Sequence, residues 1–139
     1  MKNIQKINIG IVGSRTYTNK SKVEQSIDLC IQKYGKENIC IVSGGAKGAD
    51  TLGRVVALEK GLEYREYNPA HTEWNEHSGK PKEWYEKEYK VGNYFERNSF
   101  IAEDSHFLFA FIPQGHVSNG TNDTIAKAKK LNKPYHIET

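Results

Sequence analysis

The residues able to do chemistry fall into short groups, each beside glycine or at an expected helix end. The longest is Ile41-Val42-Ser43-Gly44-Gly45-Ala46-Lys47-Gly48-Ala49-Asp50, where a β-branched run stops at Ser43 and gives way to three glycines in six residues. A helical pattern opens near Asp50. Strand, glycine-rich turn and helix start make an anion-binding geometry, because free backbone N–H groups and the positive end of the helix dipole converge on one point. Glycine lets the backbone approach a phosphate where a Cβ would collide. Lys47 is followed by Gly48, so no Ser or Thr stands where a GxxxxGK[ST] loop holds magnesium, and the stretch is not GxGxxG. On spacing alone a merely tight turn stays open as the alternative.

Gly13-Ser14-Arg15 forms a second group, with a hydroxyl and a planar guanidinium fork suited to phosphate. Arg97-Asn98 is polar where a helical pattern turns inward; read alone, it is a surface salt-bridge partner. Asn119-Gly120-Thr121-Asn122-Asp123-Thr124 is a second glycine-containing strand-to-helix junction, and alone it reads as an ordinary N-cap. Trp74 offers a ring that either stacks on a nucleobase or lids the core. His71 and His77 lie nearby without a third ligand at suitable spacing, so no metal is expected.

These groups must be positioned by regular elements. Ile7, Ile9, Ile11 and Val12 form a first strand ending at Gly13. Asn19 or Ser21 caps a helix in which Val23, Ile27, Cys30, Ile31 and Tyr34 recur at helical spacing until Gly35. Ile39 to Ser43 is the second strand. The next helix carries Leu52, Val55, Val56 and Ala57 and ends at Gly61, and Leu62 to Tyr67 reads as a third strand. From Asn68 to about Pro81 the pattern is irregular, and so long a loop with aromatic content is expected to be functional. Glu83 to about Ala102 reads as one long helix with Trp84, Val91, Phe95, Asn98 and Ala102 on one face. Gly92 inside it suggests that something approaches the backbone closely. His106 to Ile112 is the near-continuous apolar run of a central parallel strand. A last helix carries Ile125, Ala128 and Leu131, Asn132-Lys133-Pro134 breaks it, and Tyr135 to Ile137 is a final strand.

The order βαβαβ-loop-α-β-α-β predicts an α/β fold, a central parallel sheet of about five strands flanked by helices, with right-handed crossovers. The polar and glycine-rich clusters follow strands, so they can converge on one edge of the sheet, where open α/β folds bind ligands.

Composition narrows the function classes. A length of 139 residues predicts a single domain, 1–139, with a real core. No apolar run approaches membrane-spanning length, and Met1-Lys2-Asn3 leads directly into a strand, so neither a membrane segment nor a signal peptide is expected. The net charge of +3 is mild. Lys127, Lys129, Lys130 and Lys133 read as a solvated helix face rather than a nucleic-acid groove. Cys30 and Cys40 lie in apolar patterns and are expected as buried free thiols, which fits a cytoplasmic location.

Taken in order, Gly13-Ser14-Arg15, Ser43 to Asp50, Pro69-Ala70 with Trp74, Gly92 with Arg97-Asn98, and Ala110-Phe111 with Gly120-Thr121 resemble the YspA-like branch of the SLOG superfamily. That group includes the Lonely Guy phosphoribohydrolases and the DprA DNA-processing proteins. The resemblance spans almost the whole chain and implies a Rossmann-like fold that binds a nucleotide or a nucleotide-derived ligand. It assigns ligand contacts to Gly13, Ser14, Arg15, Ser43, Gly44, Gly45, Ala46, Gly48, Asp50, Trp74, Arg97, Asn98, Gly120, Thr121 and Asn122. It implies no cofactor.

The first expectation is a binding module that senses or sequesters a nucleotide signal. The alternative is a phosphoribohydrolase. In Lonely Guy enzymes an Arg on the long helix and a Glu after the Gly-Thr cleave the N-glycosidic bond, and by position these correspond to Arg97 and Asp123. Such a pair can hold the phosphate or ribose and stabilise an oxocarbenium-like centre. This chain departs from that pattern in having Asp for Glu, Arg97-Asn98 for an Arg-Lys type pair, and Gly115-His116-Val117-Ser118-Asn119 in place of a compact phosphate loop. DNA binding of the DprA kind ranks third, for want of a basic stripe. The missing GxGxxG fingerprint argues against a dehydrogenase. Whether the aromatic face of Trp84, Tyr85 and Tyr89 pairs two copies or belongs to the core stays open.

Overall fold

Short β-branched and aromatic runs, each stopped by glycine or a polar turn, alternate with amphipathic stretches, and this alternation builds a βα layered sheet. The computed structural model describes residues 6–139. Its strands are β1 (Ile7–Gly13), β2 (Ile39–Ser43), β3 (Glu63–Glu66), β4 (Phe107–Phe111) and β5 (Tyr135–Glu138). The helices are α1 (Lys20–Tyr34), α2 (Ala49–Glu59), α3 (Gly92–Asp104) and α4 (Asn119–Lys130). All strand pairs are parallel, in the order β3-β2-β1-β4-β5. The expected five-stranded parallel sheet is therefore the observed one.

α1 and α2 cover one face, where Ile9, Ile11, Ile39, Ile41 and Phe111 meet Val23, Ile27 and Val56. α3 and α4 cover the other, where Val12, Val42, Leu108 and Ala110 meet Ile101, Ala102, Ile125 and Ala128. The chain winds outward from β1 through β2 to β3, then returns to β4 on the opposite side of β1. Connections therefore leave β1 and β4 in opposite directions and open a crevice at their carboxyl ends. The sheet order alone selects that place.

Helix starts follow local chemistry. Asn19 caps α1 through a bond from the Lys22 N–H to its Oδ1 (3.2 Å). Cys30 and Cys40 are free and buried, and burial pushes the Cys40 thiol up to about 11. Among the described residues no helix is long and apolar enough to cross a membrane. Residues 1–3, on which the signal-peptide reading rests, lie outside the described residues.

The long helix expected from Glu83 starts only at Gly92. Ahead of it, Lys82–Trp84 forms a single 3-10 turn, Tyr85 is extended, and Glu86 has a left-handed backbone (φ 60°). The N–H groups of Glu86 and Lys87 bond to the Thr72 and Ala70 carbonyls (both 3.0 Å), so these donors serve the preceding loop instead of a helix. Gly92 has nothing within 4 Å of the place a Cβ would take, so no close approach occurs there. Trp84, Tyr85 and Tyr89 do not share a face. Tyr85 is buried, Trp84 lies edge-on to Phe100, and Tyr89 is exposed beside His71.

Gly53, on the inner face of α2, lets the helix lie against β1, since a Cβ there would sit 2.7 Å from Ile11 Cγ2 and 2.9 Å from its Cβ. These atoms are next to the strand backbone and have little room to move. Overpacking costs roughly 1–3 kcal/mol and the helix-propensity gain of alanine returns about 1 kcal/mol. Gly53→Ala is thus expected to lower stability by up to about 2 kcal/mol. Urea unfolding checks this, and a stabilised variant would contradict the close packing.

Candidate functional site

The crevice at the ends of β1 and β4 is a cleft of about 420 Å³. That volume is in the range of small-molecule sites, roughly 300–1,000 Å³. Ser14 and Arg15 enter it from the turn after β1, Asp50 from the first turn of α2, Tyr94, Arg97 and Asn98 from α3, and Ser118 to Thr121 from the start of α4. Four separate segments converge there because each follows or meets a strand end on the same side of the sheet.

The glycine-rich turn after β2 is occupied from within. Asp50 Oδ2 accepts the Gly44 N–H at 2.8 Å, so the α2 carboxylate already fills the turn's anion position. A Cβ on Gly44 would lie 2.5 Å from Arg97 Nη1 and 2.8 Å from Asp50 Oδ2, and one on Gly45 would lie 2.7 Å from the Glu66 carboxyl carbon. Gly48 has φ +79°, and a Cβ there would strike the backbone of Ser14 and Arg15. Its place against that loop is held by the bond from Ala49 N–H to Ser14 O (3.2 Å). The three glycines serve internal packing. Ser43 is fully buried and shares a 2.6 Å hydrogen bond with Tyr64, whose hydroxyl donates to Glu66 at 2.8 Å. Burial raises the Asp50 carboxyl to about 6, against the opposing pull of the Arg97 charge and the Gly44 and Ala46 N–H groups.

Arg97 crosses from α3 to the same turn. Its Nη1 donates to Gly44 O and its Nε to Asn98 Oδ1 (3.0 Å). Its Nη2 has no hydrogen-bond partner among the described residues, and the side chain lines the cleft while the residue is only 8% exposed. Burial lowers its pKa, and Asp50 supports its charge. Two guanidinium groups lie near the Tyr94 ring, Arg97 Cζ at 5.9 Å and Arg15 Cζ at 6.0 Å from its centroid. Behind it, His71 packs edge-on to Tyr94 (5.1 Å) and to Tyr89 (4.8 Å). The irregular segment after β3 thus props the arginine-bearing wall of the cleft.

The start of α4 is built differently from the turn after β2. First-turn N–H groups of a helix lack intrahelical partners. Ser118 does not cap them; its hydroxyl donates to Thr121 Oγ1 (2.7 Å). Gly120 has nothing within 4 Å of a Cβ position and borders the cleft. Here the space left by glycine is open.

The structure brings Gly13, Ser14, Arg15, Ala46, Asp50, Arg97, Asn98, Gly120 and Thr121 to the cleft. Ser43, Gly44, Gly45, Gly48 and Asn122 are not among its lining residues. Trp74 is absent from it too: β3 is an edge strand, separated from β4 by β2 and β1, so its loop leaves from the far side of the sheet. Trp74 is half-exposed, with Lys82 Nζ 5.9 Å from its ring. Asp123 also lies off the cleft, where its Oδ2 receives Lys127 Nζ and Asn98 Nδ2 (3.1 Å). Sequence reasoning missed Tyr94, Phe95, Val117 and Ser118 as cleft residues. Tyr94 stands three residues before Arg97, a spacing that puts both on one helical face. Among the described residues no cluster of three or more His, Cys, Asp or Glu is placed to hold a metal ion.

Comparison with known proteins agrees with this architecture. Residues 41–138 match the model of the circularly permutated YpsA SLOG family, and residues 1–64 match that of DNA recombination-mediator protein A. No curated protein matches the chain. Among solved structures, the molybdenum cofactor binding protein from the phototrophic bacterium Rippkaea orientalis superposes with a TM-score of 0.69 at 19% identity, covering 97% of this chain and 77% of that one. DNA processing protein A from Helicobacter pylori, described with a single-stranded DNA binding mode, gives 0.65 at 22% identity, covering 96% and 65%. Its Streptococcus pneumoniae counterpart gives 0.65 at 19%, covering 96% of this chain and 50% of that one. The chain thus spans half to about two thirds of those DNA-processing proteins.

The Asp50 carboxyl makes stability depend on pH in a stated direction. With a folded value near 6 against an ordinary 3.8, the folded state holds a proton that the unfolded state has lost between those limits. Stability from this group therefore falls as pH rises from about 4 to about 6, by up to about 3 kcal/mol. Asp50→Asn keeps an acceptor for the Gly44 N–H and removes the titration. The gap in stability between the two proteins is expected to slope across that window; a flat gap in denaturant titrations at pH 4, 5 and 6.5 would contradict the burial assigned to Asp50.

Proposed function

The chain belongs to the circularly permutated YpsA SLOG family, and from that premise we propose that its cleft binds a nucleotide or nucleotide-derived ligand by its phosphate, as a sensor or sequestering module. The observation that carries this reading is Arg97, buried with its Nη2 unpartnered among the described residues, in the cleft bordered by the uncapped start of α4. A buried guanidinium with a spare donor fork, next to free helix N–H groups, is complementary to a tetrahedral anion. Arg15, exposed and 6.0 Å from the Tyr94 ring, supplies a second charge, and Gly120 leaves open the space that a side chain would take. The ligand phosphate would then sit at the start of α4, not at the turn after β2.

Binding without turnover is favoured over hydrolysis, because the carboxylate of Asp123 is engaged by Lys127 and Asn98 outside the cleft. The carboxylate that does border the cleft, Asp50, is held by the Gly44 N–H. A glycosidase-type centre needs a carboxylate free to reach the anomeric carbon or its water.

The test incubates the protein with nucleoside monophosphates, cyclic nucleotides, ADP-ribose and a short single-stranded DNA. Ultrafiltration and mass spectrometry then follow, on the filtrate and on heat-released ligand. An intact nucleotide recovered only from heated protein is the expected result. Free base with ribose 5-phosphate in the filtrate would make the protein a hydrolase, and retention of the DNA alone would make it a nucleic-acid binder. Arg15→Ala, at an exposed site that leaves the fold intact, is expected to weaken the recovered ligand about 10-fold, the loss of roughly one charge-assisted hydrogen bond. Unchanged affinity in calorimetry would remove Arg15 from the site.

A further inference from the structure

We propose that the same cleft carries a second, apolar subsite, built by Phe95 with Val91 and Val117, that holds the flat nucleobase of the ligand. The inference rests on the phosphate reading above and adds what recognises the other end of the molecule. Val91, Phe95 and Val117 all border the cleft and are 64%, 48% and 81% exposed. Single exposed apolar side chains are ordinary, but these converge on one opening from two separate elements, the start of α3 and the loop before α4.

The polarity of the cleft is graded along α3. Val91 and Phe95, four residues apart, share a face at the amino end of the helix. Arg97 and Asn98 follow toward the carboxyl end, both buried. The distance from Val91 to Arg97 is six residues, ~9 Å along the helix axis. On the opposite side the same order recurs within a few residues, from exposed Val117 to Gly120 and buried Thr121. An apolar mouth over a cationic, hydrogen-bonding floor matches a molecule with a flat, weakly polar ring at one end and a phosphate at the other.

Phe95 is also held in place. Lys127 Nζ lies 5.6 Å from its ring centroid and is itself tethered to Asp123. An aromatic ring that borders the cleft and already has a cation beside it is a stacking platform for an arriving base. Trp74, the residue expected for this role, lies off the cleft, and Phe95 takes its place.

Calorimetric titration of AMP, GMP, CMP and UMP, with ribose 5-phosphate as the base-free probe, tests this. Phe95→Ala, checked for an unchanged circular dichroism spectrum, is expected to weaken the tightest nucleotide about 5- to 20-fold, as loss of one base–aromatic stack does. Ribose 5-phosphate should bind wild type and variant alike. Val117→Ser should weaken the same nucleotide in the same selective way. If Phe95→Ala leaves nucleotide affinity unchanged while ribose 5-phosphate still binds, the base subsite is wrong and the phosphate site stands. An equal loss for ribose 5-phosphate would likewise overturn the subsite. If neither probe class binds wild type, the phosphate reading fails first. Conversion of a dimer to a monomer by Phe95→Ala, with ligand affinity unchanged, would make the rim an interface between copies and overturn the proposal.

Discussion

The guanidinium of Arg97, on a helix that packs against one face of the sheet, reaches the turn leading into a helix on the opposite face, and the cleft takes its form from that reach. The bond to Gly44 O joins α3 to the end of β2 across the crevice. Asp50 balances the charge from the start of α2, and the Gly44 N–H holds Asp50. Removing either partner would leave the other buried and uncompensated, a loss of several kcal/mol in typical cases. Glycine at position 44 follows from the crowding of these two groups, since any Cβ would displace them.

This arrangement separates two glycine-containing strand-to-helix junctions that look alike as sequence. After β2, the open space belongs to Arg97, Asp50, Glu66 and the backbone of Ser14 and Arg15. Before α4, nothing among the described residues lies within 4 Å of the place a Cβ on Gly120 would take, and the helix start has no side-chain cap. One junction is a structural joint, while the other leaves its glycine open toward the cleft. A glycine-rich motif therefore reports close approach to the backbone, but not whether protein or ligand makes the approach.

The irregular segment between β3 and α3 acts on the cleft wall from behind Tyr94. Glu66 is buried at its root, accepting from Tyr64 and from Asn75 Nδ2 (2.8 Å), and the Glu66 N–H bonds to His77 O. Farther along, His71 and Tyr89 brace Tyr94, whose ring lies near both Arg15 and Arg97. A loop with its own hydrogen bonds and aromatic contacts can hold two like charges near one ring without lining the site itself.

Periodicity and composition determined the element order, the parallel sheet, the buried thiols and the carboxyl-edge location of the site, since these follow from local hydrophobic patterning and from the handedness of βαβ crossovers. The ordered short motifs determined the family. Tertiary structure decided which motif faces the cleft: Asp50 closes the turn after β2, Asp123 turns to Lys127 and Asn98, and Trp74 hangs from an edge strand while Phe95 reaches the cleft. It also decided that α3 begins at Gly92, because donors in the preceding residues are taken by carbonyls of the 70–72 segment. The physical reason is common to these cases. Helix and strand propensities act between neighbours in the chain, whereas the partner of a carboxylate, a glycine's empty Cβ position or an aromatic ring is chosen by segments that meet only after the sheet has assembled.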